Sequence, residues 1–547
     1  MTDLWLLSTI IEKDAKTATD KKGLDDLVKV LGENRLSLHK PCMEGTRTTI
    51  LQEIENEIKN VDSPSMIWIR GSPGVGKSAI AASIAARLRK QDRHVISFRF
   101  DRTESTTINT DALWRAVALG LAGLYPSVRQ HILNRVQNDK MPGPSDTNER
   151  FESLIETPLS TLHGVPCGEL PVIVIDALDE CGGLRHDASG KDDYKSLLGT
   201  LKRWVQVDHL KRFKLVITSR PEGQISRIFP ESISIHIAIP SGSDVKSGDS
   251  ASQDIRTFLK SRLNDMEMKP AWITKTLDYL VPGAAGIFIW ATTVANFLED
   301  GPEARFHILK SRRGGDDMKG MDDLSSLYAT VVSASFGQIP KEEAQGIISV
   351  MGAMIYAKQP LSDDVLVMLP GVKIGDSDVM PLIRKNLVSV VGSGPILHFH
   401  HKSFEDYLLS PSFQQKFPEF STVRDRGHHE RQLALLCLKT LVSPKLHFNM
   451  CSLDSSVIKN VDIQPNVISM IPPFVLYSSQ FWADHLVLSD KLSDQKLKEG
   501  VKFVMYEKLL FWIETMSLLG KAYEVSSVLK RALSWKVCLQ VISLKHV

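Results

Sequence analysis

The eight residues from position 71 to 78, GSPGVGKS, constrain the fold of this chain most strongly, because they have the form G-x-x-x-x-G-K-[ST]. The apolar run 66–69 precedes them and the small-residue run 79–86 follows, so a strand, a glycine-rich loop and a helix come in that order. In such a loop the backbone N–H groups and the positive end of the helix dipole surround a phosphate. The pattern predicts a phosphate-binding loop made of Gly71, Ser72, Pro73, Gly74, Val75, Gly76, Lys77, Ser78 and Ala79.

Two side chains of this motif carry specific chemistry. Lys77 is expected to reach the β- and γ-phosphates of a nucleotide, and the Ser78 hydroxyl is expected to coordinate Mg²⁺. The alternative is a glycine-rich turn before an ordinary helix, and the flanking strand and helix argue against it. The expected ligand of this segment is therefore a nucleotide together with Mg²⁺.

A second signal is the apolar run 172–175, which is followed by acidic residues. Four consecutive β-formers with no polar face are typical of a central, fully buried parallel strand. Asp176 stands at its carboxyl end, where open α/β sheets bind ligands, and is predicted to hold Mg²⁺ directly or through water. Asp179 or Glu180 is expected to orient or deprotonate an attacking water. A loop acid without such a role is the alternative for Asp176, which the phosphate loop upstream disfavours.

A third apolar run, 213–217, also ends in polar residues. One of Thr218, Ser219 and Arg220 is expected to sense the γ-phosphate of a bound nucleotide. For Arg220 the alternative is an ordinary surface salt bridge, which is the commoner outcome for an arginine at a strand end.

Five predicted strands alternate with helices along the first 240 residues, at 66–69, 94–100, 172–175, 213–217 and 234–239. Right-handed crossovers between them give a three-layer α/β domain with a parallel sheet, which is a P-loop NTPase fold. The predicted helices include one that Thr48 or Thr49 caps and a long one over 109–135.

Composition excludes several function classes. The chain has 547 residues, enough for roughly three or four domains, and its 66 Lys plus Arg against 64 Asp plus Glu leave a net charge of +2. This balance gives no reason to expect nucleic acid or an anionic membrane as partner. Six scattered cysteines without a C-x-x-C pair favour a reducing, cytoplasmic setting. The uncharged stretch 281–298 contains proline and glycine, so we interpret it as a buried helix and expect no membrane span.

The C-terminal half shows weaker patterns. Residues 335–410 predict a small α/β unit with a helix at 380–391 and a strand at 396–400, and helices follow to the end. The large apolar residues of the amphipathic stretch 497–519 are interpreted as core packing between helices: Phe503, Tyr506, Leu510 and Trp512. The histidines at 398, 400, 401, 428 and 429 lack cysteine or aspartate partners at metal spacing, which disfavours a zinc site.

The segments GSPGVGKSAIAASIA, VIVIDALDEC and KLVITSRPE together resemble the NACHT class of signal-transduction NTPases. More narrowly, they are similar to fungal NACHT proteins of the nucleotide-binding, oligomerising receptor type (NLR-like STAND proteins), related to the nephrocystin-type NTPase domain. Residues 42–47 are similar to the Cys-x-x-Gly-Thr-Arg segment before that domain, and 283–291 to a helix those proteins carry after it. A Gly-x-Pro that packs on adenine in many relatives has no counterpart here, since 286–288 reads GIF.

The resemblance implies a domain order: an N-terminal helix and linker (1–40), a P-loop NTPase core (41–240), a small helical domain (241–334), a winged-helix-like domain (335–412) and a helical C-terminal domain (413–547). It also implies that His401, which precedes Lys-Ser-Phe, contacts the β-phosphate of ADP and locks a closed state. A half-buried structural histidine is the alternative for His401. We find no internal repeat and no room for most effector domains in 1–40, so the chain looks like the switch module alone.

Two functions fit these observations. The first is a nucleotide-operated switch in which ADP holds the closed state, ATP permits self-association, and slow hydrolysis resets it. The second is a non-switching scaffold, or an inactive relative, that holds a protein partner through its helical C-terminus. The sequence has no Asn-Lys-x-Asp motif, which a GTPase needs to recognise guanine, and no Leu-Ser-Gly-Gly signature of transporter ATPases. A small-molecule kinase is also disfavoured, because such kinases are usually about half this length. Whether hydrolysis is fast enough for an ordinary enzyme stays open.

Overall fold

A computed structural model gives the structure of this chain, which divides into two compact units, Met1–Leu327 and Tyr328–Val547. The boundary falls inside the helix Met321–Phe336, and the finer division into five domains remains a prediction. The structure describes residues 23–24, 27–28, 31, 39–101, 110–137, 147–181, 188–221, 223–246, 248–312, 321–336, 341–374, 377–387, 390–392, 396–454, 470–489 and 494–535. Most of the predicted N-terminal helix and linker (1–40) therefore lies outside the described residues.

The first unit is built on a parallel sheet with the strand order β2-β3-β4-β1-β5. All five predicted strands are confirmed: β1 Met66–Gly71, β2 Val95–Arg99, β3 Val172–Asp176, β4 Leu215–Ser219 and β5 Ser234–Ile239. Both faces are covered, because Trp68, Ile173 and Ile217 belong to one apolar core and Ile67 and Val174 to another. This alternation explains why the strands read as continuous apolar runs.

The register of the strands positions the polar residues at their carboxyl ends. Strand β4 lies between β1 and β3, and Ile175 is opposite Ile217, so Asp176 and Thr218 come side by side. Arg99 of β2 is opposite Asp176 on its other side. The edge of the sheet thus brings together residues that are far apart in sequence.

Helices follow the strands in the expected alternation. In chain order they are α1 Thr48–Lys59, α2 Lys77–Lys90, α3 Thr110–Leu124, α4 Pro126–Gln137, α5 Thr147–Phe151, α6 Ala188–Gln206, α7 Gly223–Ile228, α8 Ser250–Asn264, α9 Pro270–Ala284, α10 Phe288–Leu298, α11 Pro302–Arg312 and α12 Met321–Phe336. A π turn, Glu152–Glu156, and the short helix Thr157–Leu159 continue α5.

Three helix predictions for this unit were wrong. The single helix over 109–135 is two helices, because Pro126 lacks the N–H that a helix interior requires and starts α4 instead. The stretch 281–298 is the end of α9 and the whole of α10, since Ala285 and Gly286 have positive φ angles of 43° and 77° that end a right-handed helix. Neither Thr48 nor Thr49 caps α1, since Arg47 is its N-cap residue.

Helices dominate the described part of the second unit. They are α13 Lys341–Tyr356, α14 Asp363–Leu366, α15 Val379–Asn386, α16 Lys402–Leu408, α17 Pro411–Lys416, α18 Arg426–Val442, α19 Pro473–Leu488, α20 Gln495–Phe503, α21 Leu509–Leu518 and α22 Val525–Ser534. The strands β6 Lys373–Ile374 and β7 Ser377–Asp378 form a two-stranded antiparallel pair. In the described residues, no helix of either unit is long and apolar enough to cross a membrane.

Two predictions for the second unit were also wrong. The expected strand 396–400 is present only as isolated bridges, Ser362 with Ile396 and Val391 with Phe399, and the helix predicted for 380–391 ends at Asn386. Pairing there is too short for a ladder of hydrogen bonds, so the region is not a regular strand.

The predicted core stripe of the last helices is mostly exposed. Phe503, Tyr506 and Leu510 are 42%, 48% and 76% exposed, whereas Trp512 is fully buried. The reason is geometric: Trp512 follows Leu510 by two residues, about 200° around a helix, so it cannot share a face with the other three. A π turn, Val504–Lys508, also adds a residue between α20 and α21 and shifts the buried face.

Candidate nucleotide-binding site

The phosphate loop connects β1 to α2 in the conformation that the motif predicts. Gly74 and Gly76 have φ angles of 78° and 95°, in the left-handed region that residues with a Cβ rarely adopt. Helix α2 starts at Lys77, so its N-terminus and positive dipole end adjoin the loop. Ser241, just after β5, donates from Oγ to Ser72 Oγ at 2.9 Å.

The Lys77 side chain folds back over its own loop. Its Nζ donates to the carbonyl oxygens of Gly71 (2.9 Å) and Ser72 (3.1 Å). Burial lowers the pKa of this ammonium, while Asp179 raises it and Arg220 lowers it. Asp176 and Glu180 raise it further. The structure therefore gathers the predicted lysine, acids and arginine in one place.

Asp176 is fully buried at the end of β3. Its Oδ1 accepts a hydrogen bond from the Thr218 hydroxyl at 2.5 Å, and the Ala177 N–H donates to the same hydroxyl at 2.9 Å. Its Oδ2 has no hydrogen-bond partner among the described residues, and the nearest cation is Arg99 Nε at 3.9 Å. A buried carboxylate oxygen left in this state is costly unless another group binds it.

These oxygens fit Mg²⁺. The ion prefers oxygen ligands and commonly takes only one or two protein groups besides nucleotide phosphates and water. The Ser78 hydroxyl at the start of α2 and the Oδ2 of Asp176, which lacks a hydrogen-bond partner, are groups of this kind. In the described part of the chain, no three His, Cys, Asp or Glu side chains cluster as a metal site of their own.

The Asp176→Asn substitution is expected to remove most of the Mg²⁺ dependence of nucleotide binding. The amide has a similar shape and keeps one acceptor for Thr218, but it carries no charge for the ion. We expect the gain in ATP affinity on adding Mg²⁺ to fall by about 10- to 100-fold, the usual scale for disturbing a metal site. The measurement is an ATP titration with Mg²⁺ and with EDTA. Asp278→Asn, at an exposed carboxylate paired with Arg256, is the control and should leave the ratio unchanged.

Asp179 and Arg220 form an ion pair. The Arg220 Nε and its backbone N–H each lie 3.2 Å from an oxygen of Asp179, whose side chain is only 6% exposed. Ser219 is also engaged, because its hydroxyl accepts from Trp68 Nε1 (2.7 Å) and donates to the Arg220 carbonyl (2.9 Å). Arg220 thus forms a salt bridge, as the alternative interpretation of this residue expected. The salt bridge lies at the edge of the site and not on a remote surface.

Sequence reasoning missed contacts on the outer side of the phosphate loop. The Ile289 N–H, in the first turn of α10, donates to the Gly74 carbonyl at 3.0 Å. Arg47 donates to the Val75 carbonyl at 2.7 Å. Both residues belong to segments that resemble those of NACHT proteins, 42–47 and 283–291, but the resemblance assigned no contact with the loop. The contacts join residues that are 28 and 215 positions from the loop residues they touch.

His401 belongs to the second unit, where it caps α16. Its Nδ1 accepts from the Ser403 N–H at 3.1 Å and lies 2.8 Å from the Ser403 hydroxyl. Since Nδ1 accepts, the neutral ring carries its proton on Nε2. The neighbouring histidines have separate partners, for example His429 with the Thr422 carbonyl and His428 with Gln432.

Comparison with known proteins identifies the segment that carries this site. Residues 45–220 match the family described as nephrocystin 3, N-terminal. The chain is also similar to the vegetative incompatibility protein HET-E-1 of Podospora anserina, at 25% identity over 84% of this chain and 34% of that protein. The chain thus spans about a third of the length of this relative.

Similarity to solved structures is more distant. A STAND (signal transduction ATPase with numerous domains) protein with a tetratricopeptide repeat sensor from Pyrococcus horikoshii shares 15% identity, covering 94% of this chain and 67% of that one, with a TM-score of 0.39. Cdc6p from Pyrobaculum aerophilum shares 11% identity over 73% of this chain and 98% of that one, with a TM-score of 0.29. No residue role is transferred from either structure.

Proposed function

Because residues 45–220 of this chain form a NACHT-type NTPase domain of the nephrocystin 3 N-terminal family, we propose that the chain is a nucleotide-controlled switch. Bound ADP holds a closed state, and exchange for ATP permits self-association. HET-E-1, to which the chain is similar, is a vegetative incompatibility protein, and the proposed role is signalling of that kind.

The observation that carries the proposal is the fully buried Asp176 at the end of β3, whose Oδ2 has no hydrogen-bond partner among the described residues. The Lys77 Nζ lies over the phosphate loop, and Asp179, Arg220, Asp176 and Glu180, which come from two other segments of the chain, act on its pKa. A half-buried ammonium and an Asp176 oxygen without a hydrogen-bond partner suit a Mg²⁺–phosphate group, which brings both negative charge and a cation.

Hydrolysis, which resets the switch in this proposal, requires a group that orients water. Mg²⁺ held by Ser78 and Asp176 would supply charge stabilisation to the phosphates. The Asp179 carboxylate is already engaged by Arg220, through an ion pair and a hydrogen bond from the Arg220 backbone N–H. The water-orienting role is assigned to one of these two acids, Asp179 or Glu180, which both lie in the 3₁₀ turn Leu178–Glu180 after Asp176. Turnover is expected to be slow.

The switching part of the proposal is supported by the contact between the loop and the helices that follow the sheet. A Cβ on Gly74 would stand 2.1 Å from Ile289 Cγ2, so loop and helix α10 fit with no spare room. If phosphate binding changes the conformation of the loop, α10 must move with it or resist that change, because packed interiors deform little.

His401 is proposed as the residue that contacts the β-phosphate of ADP. The resemblance of its segment to the NACHT class supports this role, and its Nδ1 accepts the Ser403 N–H at the start of α16.

The second candidate, a scaffold that holds a protein partner, is favoured by one observation. Phe503, Tyr506 and Leu510 expose apolar surface on one side of α20 and α21. Contiguous exposed apolar side chains commonly mark protein interaction sites.

Two measurements distinguish the switch from the scaffold: the identity of the nucleotide that the purified chain retains, and the mass of the particle in solution. We expect the wild-type chain to release ADP on denaturation and to run as a monomer. His401→Ala is expected to bind ADP about tenfold more weakly and to self-associate with ATP. His447→Ala, at an exposed histidine of the same unit, is the matched control. If the purified chain retains no nucleotide and does not bind Mg·ATP, the scaffold function is supported. If the His401→Ala variant binds ADP with the wild-type affinity, His401 has only a structural role.

A further inference from the structure

Arg47 is a buried cation that the nucleotide-binding motifs do not include. It follows a turn in which the Thr46 N–H bonds the Met43 carbonyl at 3.1 Å, and its side chain is 2% exposed. Its φ angle of 58° is left-handed, which costs energy for a residue with a long side chain. A strained, buried arginine is retained only where the surrounding structure fixes it.

Three elements fix the Arg47 guanidinium. One amino group donates to the Val75 carbonyl at 2.7 Å, in the middle of the phosphate loop. The guanidinium carbon lies 4.8 Å from the centre of the Phe288 ring, at the start of α10. Its Nε is 4.0 Å from a carboxylate oxygen of Asp254, on α8. Arg47 therefore joins the phosphate loop to two helices that follow the sheet.

The bond to Val75 has a consequence for the side of the loop that faces a phosphate. In a trans peptide the C=O and the next N–H point in opposite directions. Arg47 holds the Val75 carbonyl outward, which turns the Gly76 N–H of the same peptide inward. The Ile289 N–H holds the Gly74 carbonyl outward, which turns the Val75 N–H inward. Both outer contacts thus aim backbone donors at the position where an anion binds.

Charge makes the arrangement interdependent. Burial lowers the pKa of Arg47, and Asp254 raises it. Burial raises the pKa of Asp254, and the backbone N–H and the charge of Arg47 lower it. Each ion therefore offsets part of the cost of burying the other, and the 4.0 Å contact links a movement of α8 to the loop through Arg47.

We propose that Arg47 is a positioning residue that presets the phosphate loop for the diphosphate group and couples it to α8 and α10. The inference rests on the proposed nucleotide site but assigns no contact between Arg47 and the nucleotide. Arg47 acts through the Val75 peptide, and the linkage makes phosphate affinity depend on the position of the helices.

The test compares the full chain with Arg47→Met and Arg47→Lys, using Mg·ADP and Mg·pyrophosphate as ligands. Arg47→Met is expected to weaken both ligands by about tenfold and by the same factor, because the lost contact acts on the loop. Arg47→Lys keeps a charge and a donor but not the planar fork, and is expected to recover only part of the affinity. Arg87→Met, which removes an ion pair with Glu55 on α1, is the matched control with unchanged affinities.

Amide hydrogen exchange supplies a second readout that a purely structural role would not move. In Arg47→Met, exchange should rise at Val75, Gly76 and the first turn of α10 while β3 stays protected. If Arg47→Met binds ADP more weakly but pyrophosphate as the wild type does, Arg47 contacts the base or ribose. If it binds both ligands with wild-type affinity, Arg47 has no role in the site. Either result overturns the proposal. If the wild-type chain binds neither ligand, the nucleotide site itself fails, a result distinct from both.

Discussion

Lys77→Ala is expected to abolish measurable ADP and ATP binding while leaving the fold intact. Lys77 supplies the cation that the phosphate loop presents to the β- and γ-phosphates, and its Nζ is held over the loop by the carbonyls of Gly71 and Ser72. A charge-assisted hydrogen bond to an ion contributes about 1.5–3 kcal/mol. Losing the bond together with the charge should weaken binding by at least about 100-fold.

The measurement is calorimetric titration of the nucleotide-free chain, with thermal unfolding recorded in parallel. Lys90→Ala, at the exposed C-terminal end of the same helix, removes an equal charge and should bind as the wild type does. Unfolding without nucleotide should change by no more than a few degrees, because Lys77 bonds only loop carbonyls. Undiminished binding by Lys77→Ala would refute the assignment of this loop as the phosphate site.

Glu430→Ala is expected to destabilise the second unit strongly. Glu430 is fully buried in α18, where it accepts from Lys358 Nζ (3.1 Å), Arg426 Nε (3.2 Å) and His485 Nδ1 (2.6 Å). The other nitrogen of His485 is 2.7 Å from the Tyr477 hydroxyl, which in turn accepts from the Lys358 N–H at 3.2 Å. Removing the carboxylate leaves the 9%-exposed Lys358 ammonium unpaired, at a cost of about 3–5 kcal/mol.

The same network gives the second unit a dependence on pH. Burial alone would raise the pKa of Glu430, but the hydrogen bonds and charges of His485 and Lys358 lower it to about 2. A carboxyl whose pKa is lower in the folded state stabilises the fold above its ordinary value of 4.5, and this stabilisation is lost as the pH falls from there towards 2. Glu430→Gln should therefore flatten the acid limb of the stability curve as well as lower stability at pH 7.

Hydrogen exchange in α18 and α19 under urea measures this effect, because it resolves the second unit from the first. Glu499→Ala, at an exposed carboxylate on α20, should change stability by less than about 0.5 kcal/mol. If Glu430→Ala exchanges as slowly as the wild type at pH 7, the network contributes no net stability and the expectation is wrong.

The sequence alone determined the parts of this protein that depend on neighbouring residues. The eight-residue phosphate motif, its strand and its helix are contiguous, and the buried strands are recognisable because both of their faces are apolar. The position of Asp176 at a strand end followed from the same local pattern. The NTPase class followed too, since its three motifs can be read without knowing how the strands pair.

The tertiary structure alone decided which distant residues meet. The insertion of β4 between β1 and β3 brings Thr218 to Asp176, and no local pattern encodes strand order. The pairing of Asp179 with Arg220, the hold of Arg47 on the Val75 carbonyl and the burial of Glu430 likewise depend on chain reversals over tens of residues. Such contacts are fixed by packing and charge compensation in three dimensions, whereas a sequence pattern reports only the periodicity of one segment.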